Sequence, residues 1–114
     1  MLALTHFVVP EPVEEEFRAE ARDALAVLAG CAGHLGSRLG RAADDPTTWV
    51  LVSEWTSVGA YRRALGSYPV KVAVSGFLLR ALDQPSAFEV LLGDGPGGPT
   101  SQDSDRAGSQ PEGE

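Results

Sequence analysis

At 114 residues the chain can build one hydrophobic core and not two. Hydrophobic residues make up 43% of it, in runs broken within a few positions, which argues against a membrane-spanning helix. A net charge of −7 with only 9 basic side chains argues against a nucleic-acid groove, because phosphates call for clustered Lys and Arg.

Leu2 to Val9 reads as a strand with Leu2, Leu4, His6 and Val8 on one face and Ala3, Thr5, Phe7 and Val9 on the other. Both faces are largely apolar. Pro10, Glu11 and Pro12 end it, and Pro12 followed by Glu14, Glu15 and Glu16 marks a helix start, with carboxylates at the positive end of the dipole. Val13, Phe17, Ala21, Ala24, Leu25 and Leu28 recur at helical spacing until Gly30 supplies a stop. Gly33 to Gly40 is a weaker edge strand, with Leu35, Ser37 and Leu39 on one side and Gly36 and Arg38 on the other. Ala43-Asp44-Asp45-Pro46 then turns the chain back. Thr47 to Trp55 is the strongest strand and belongs in mid-sheet, with Trp49, Leu51, Ser53 and Trp55 on one face and Val50, Val52 and Glu54 on the other.

Ser57 can cap a second helix in which Val58, Tyr61, Ala64 and Leu65 share a face, interrupted at Gly66-Ser67-Tyr68-Pro69. Val70 to Val74 alternates as a strand would, but Val70, Ala73, Val74, Phe77, Leu78 and Ala81 also fit one helical face. The length of the run to Leu82 decides for helix. After Asp83-Gln84-Pro85, Ser86 to Leu92 reads as a last strand, with Phe88, Val90 and Leu92 opposed to Ala87, Glu89 and Leu91. Residues 93–114 are rich in Gly, Pro, Ser and acids with a lone Ala, which predicts a disordered acidic tail behind a domain of residues 1–92. The start of the chain lacks a basic leader, and the single cysteine, Cys31, has no partner for a disulfide, so the sequence predicts a cytoplasmic protein.

The order β-α-β-β-α-β is the α+β, ferredoxin-like arrangement, a four-stranded antiparallel sheet with both helical crossovers on one face. Strands that are apolar on both faces would leave a large patch in water, so a homodimer covering the helix-free face is expected.

The segment Trp49-Val50-Leu51-Val52-Ser53-Glu54-Trp55-Thr56-Ser57, followed by Tyr61 on the next helix, resembles the antibiotic biosynthesis monooxygenase family, whose members are small dimeric α+β barrels. The layout matches over about residues 2–92. The resemblance implies a pocket between sheet and helices where cofactor-free members oxidise aromatic or quinol-like substrates with O₂. On this chain, Trp55 and Tyr61 match the Trp and Tyr lining that pocket. The expected site carries His6 and Tyr61 as catalytic groups, and Trp55, Ser53, Leu51 and Phe77 as substrate-binding residues. The match is incomplete, because Leu51 stands where the family has a pocket Asn, and Ser75 lies near the place of a later Arg. The haem-degrading branch of the family has a helix Trp and an axial His, for which this chain has Ala64 and Val74, so no haem is expected and no cofactor is predicted. A small aromatic metabolite is the expected partner, with neither nucleic acid nor a membrane.

Each group also has a structural reading. An imidazole at His6 can be a general base near neutral pH or a satisfied strand residue. Trp55 and Tyr61 across a strand-to-helix turn suit core packing as well as pocket lining. His34 reads as exposed at a loop boundary. Cys31 lacks a flanking cation to activate it, and two histidines without paired carboxylates give no metal-ligand spacing. The same aromatics therefore fit either an oxygenase or a non-catalytic ligand-binding module.

Overall fold

A computed structural model describes residues 1–94 of the chain. Nearly all of the expected tail lies outside the described residues. Four strands, β1 (Leu2–Val8), β2 (His34–Ala42), β3 (Asp45–Trp55) and β4 (Ala87–Phe88), form one antiparallel sheet in the order β2-β3-β1-β4. The connections run through α1 (Glu14–Ala29), entered by a 3₁₀ turn at Glu11–Val13, and through α2 (Val58–Gly66), α3 (Tyr68–Ala73) and α4 (Ser75–Leu78). This is the ferredoxin-like fold that the alternation of elements predicts. Among the described residues, no helix is long and apolar enough to cross a membrane.

Strand alternation sets the core. Ala3, Thr5 and Phe7 of β1 lie beside Ser53, Leu51 and Trp49 of β3 in register, and all six are buried under the helices. Helix α1 presses Phe17, Ala21, Ala24 and Leu28 onto them. Phe7, Phe17, Phe77 and Trp49 form a ring cluster with the paired centroids 4.9 to 5.5 Å apart. The opposite face carries Leu2, Leu4, His6, Val50 and Val52, all half-buried, and the exposed Val8.

Several local expectations need correction. The helix read through residues 70–82 is helical but breaks at Val74 and ends at Leu78. The Ser75 hydroxyl donates to the Lys71 carbonyl, the acceptor that a continuous helix gives to its own backbone N–H. The last strand spans two residues, not seven. Its register pairs Phe88 with Leu2, so residue 90 would already lie past the first residue of β1. Leu35 does not share a face with Ser37 and Leu39. A register irregularity between His34 and Gly36 displaces it, and it borders a depression on the helix-free side with Leu2, Val52 and Glu54. Gly30 caps α1 in right-handed geometry, while the positive φ, 92°, falls at Gly33. There a Cβ would stand 2.5 Å from that of Ala60, so glycine is required both by the backbone and by the close passage of α2. Strand β3 begins two residues earlier than expected, because Asp45 already pairs with Ala42 across a tight turn.

Candidate active site

Three rings line up beneath α2. Trp55, at the end of β3, is fully buried, and its indole Nε1 donates to Ser53 Oγ at 2.8 Å. Ser57 caps α2 by accepting from the Ala60 N–H at 3.0 Å, and this fixes the first turn that carries Tyr61 against Trp55, with centroids 5.5 Å apart. On the other side of Trp55, His34 meets the indole edge-on at 5.1 Å and 87°, and its Nε2 lies 2.6 Å from Ser37 Oγ. The Gly33 carbonyl accepts from the Thr56 N–H at 2.8 Å, and this anchors the start of β2 beside the end of β3.

Burial lowers the pKa of His34 below its ordinary value, so at neutral pH the ring is the uncharged imidazole. Burial likewise raises Tyr61, and its hydrogen bond with the Ser86 side chain opposes this only in part. Tyr61 is therefore a phenol under all physiological conditions and can act as a hydrogen-bond donor, not as a base.

Beyond Tyr61 a depression of about 180 Å³ opens at the edge of β1, bordered by Thr5, His6, Tyr61, Leu78, Gln84 and Ser86 among others. The chain after α4 closes its rim, with the Leu82 N–H donating to the His6 carbonyl and the Leu4 N–H to the Ser86 carbonyl. His6 belongs by alternation to the helix-free face, opposite Val50. His6 and Tyr61 thus come to this depression from opposite sides of the sheet edge. His6 Nδ1 is buried with no hydrogen-bond partner, an arrangement that costs about 1–3 kcal/mol unless a ligand satisfies it.

Of the six residues singled out from the sequence, His6 and Tyr61 border this depression, and Trp55 and Ser53 form the hydrogen-bonded floor behind Tyr61. Leu51 is buried in the sheet–helix layer, and Phe77 packs in the ring cluster against Phe7 and Phe17, away from Tyr61. Sequence reasoning missed His34 and Ser86. Gly33 immediately before His34 was the available signal, since a left-handed glycine can start a bulged strand and turn the next side chain inward. Ser86 carried none. Among the described residues, no three His, Cys, Asp or Glu side chains gather as a metal site.

The model of the family described as antibiotic biosynthesis monooxygenase matches residues 1–76. No curated protein matches the chain. Among solved structures, it is similar to a conserved protein from Methanosarcina mazei Go1, at 15% identity over 75% of this chain and 84% of that one, with a TM-score of 0.62. It is also similar to SnoaB, a cofactor-independent oxygenase from Streptomyces nogalater, at 22% identity over 71% and 82% of the two chains, with a TM-score of 0.62. The protein Rv0793 from Mycobacterium tuberculosis gives 19% identity, coverage of 75% and 86%, and a TM-score of 0.59. At these identities the structural likenesses carry the fold.

Proposed function

Because the chain belongs to the antibiotic biosynthesis monooxygenase family, we propose that it is a cofactor-free oxygenase acting on a small phenolic or quinol-like aromatic molecule. The carrying observation is that His6, whose buried Nδ1 has no hydrogen-bond partner, and the protonated Tyr61 border the same depression. An imidazole nitrogen without a partner is free to bond a substrate hydroxyl, and a half-buried phenol is a donor for the oxygen on which charge develops. A substrate hydroxyl entering between them supplies the partner that His6 lacks.

In this reading His6 takes the substrate's phenolic proton, and the electron-rich anion reduces O₂. One oxygen atom ends on an activated ring C–H carbon, which becomes a carbonyl as the phenol is oxidised to a quinone. The other leaves as water with the two hydrogens lost, that ring hydrogen and the phenolic proton that His6 releases again. Tyr61 holds the substrate oxygen, and the Trp55–Ser53 hydrogen bond fixes the ring against which Tyr61 packs. The SnoaB likeness supports the class of chemistry without giving the substrate.

A second reading, a ligand-binding module without turnover, is favoured by the satisfied Trp55–Ser53 pair and by the size of the depression. Its volume of about 180 Å³ falls below the roughly 300–1,000 Å³ of most small-molecule sites. Oxygen uptake across hydroquinones and activated phenols separates the two. The oxygenase reading expects saturable uptake that falls by about tenfold or more in Tyr61→Phe, while that variant loses only about 0.5–1.5 kcal/mol of stability. Binding without any uptake leaves the module reading.

A further inference from the structure

On the opposite flank of α1, a cleft of about 320 Å³ opens between that helix and β2. Its apolar floor is made by Leu25, Leu39 and Trp49, and its rim carries the guanidinium groups of Arg18, Arg22 and Arg41. It shares no residue with the Tyr61 depression. Trp49 stands six residues before Trp55 on β3, roughly 20 Å away at the rise of an extended strand.

The charge arrangement is unbalanced. Arg18 and Arg41 both sit over the Trp49 ring, at 5.5 and 5.6 Å from its centroid. Arg41 is paired with Glu14 at 3.1 Å, whereas among the described residues neither Arg18 nor Arg22 has an ion-pair partner. Arg18 and Arg22 are also four apart on α1, a like-charge spacing that weakens a helix. Positions three and four from Arg22 are Ala19, Leu25, Ala26 and Arg18, so no carboxylate of α1 stands one turn from Arg22, while Arg18 has Glu14 and Glu15 four and three residues before it and Glu14 is engaged by Arg41. Three cations around an apolar floor, in a chain of net charge −7, are stabilised by an anion placed between them.

We propose that the cleft between α1 and β2 binds a small aromatic carboxylate, its carboxylate held by Arg18 and Arg22 and its ring laid on Leu25, Leu39 and Trp49. Guanidinium forks match carboxylate geometry in paired hydrogen bonds. The volume lies at the lower end of small-molecule sites, which suits one or two fused rings. The apolar floor distinguishes such a ligand from a bare inorganic anion, and the site stands apart from the oxygenase reading.

Calorimetric titration of the full chain at low ionic strength with naphthoate, naphthol and inorganic phosphate tests this. Naphthoate is expected to bind at one site, about tenfold or more tighter than either naphthol or phosphate. Arg18→Gln and Arg22→Gln, both at exposed positions, should each weaken naphthoate by about tenfold or more, while Tyr61→Phe leaves it unchanged. The proposal is overturned if phosphate or naphthol binds as tightly as naphthoate, if Arg22→Gln binds like the parent, or if Tyr61→Phe weakens binding equally.

Discussion

A single imidazole shows how far a residue's environment departs from what its sequence position suggests. His34 follows the only positive-φ glycine among the described residues, and the bulge beside it turns the ring onto Trp55 instead of into water. Because burial disfavours the charged ring, His34 has a lower pKa folded than its ordinary 6.5. The unfolded chain therefore binds more protons as pH falls, and stability must fall with it. The His34 contribution is fully present above pH 6.5 and is lost as pH drops through that value and on through the lower folded pKa. His34→Gln keeps a side chain able to reach Ser37 and removes the titration. The drop in Tm between about pH 7.5 and 5.5 should accordingly be smaller in the variant than in the parent. Equal drops in the two proteins would mean that the ring is solvated. Sequence could place His34 at a boundary, but the close approach of Gly33 to Ala60 that turns it inward is a tertiary fact.

Among the elements, those with period and length behind them were legible and those decided by register were not. Helix α1 was readable from Phe17, Ala21, Ala24 and Leu28, and β3 from Trp49, Leu51, Ser53 and Trp55, because a buried stripe recurs over several turns or pleats. Length alone predicts a helix from Val70 to Leu82, and the segment is helical only as far as Leu78, with a break at Val74 that depends on where the Ser75 hydroxyl finds an acceptor. Residues 86–92 alternate as a strand would, and only the first part pairs, since β1 starts at Leu2. The site followed the same division. Trp55 and Tyr61 were placed by their own elements, but the Ser86 partner of Tyr61 comes from the segment whose register was unreadable. With two ladder pairs against the seven that join β1 to β3, β4 should open far more often than the sheet centre. Hydrogen exchange at Ala87 and Phe88 should run at least about a hundredfold faster than at Leu51 to Ser53. Comparable protection would show that the strand is held by more than its ladder.

The whole molecule has one sheet face under helices and one without. Leu2, Leu4, Val50 and Val52 lie together on the helix-free face, with Val8 58% exposed at one end and Phe88 41% exposed at the edge strand. An apolar face of this kind on a central pair of strands is stable in water only when covered. We infer a homodimer in which two such faces pack, since a two-fold axis brings the same patch onto itself without needing a second partner. Val52 is the position that tests this without touching the core. It lies between Leu4 and Arg38 in register, and its side chain points away from α1 and α2. Val52→Glu places a charge in the middle of the proposed interface and leaves Leu51, Ser53 and the ring cluster in place. Sedimentation of the parent at micromolar concentration should give a dimer. The variant should keep its helical circular dichroism while its dimer dissociation constant rises by on the order of 100-fold or more, about 3 kcal/mol, because two carboxylates lose their hydration in an apolar interface, a cost that Arg38 beside each offsets only in part. A parent that sediments as a monomer refutes the dimer. A parent dimer that Val52→Glu leaves intact would place the interface on another surface, and the helix-free face would then need a different cover.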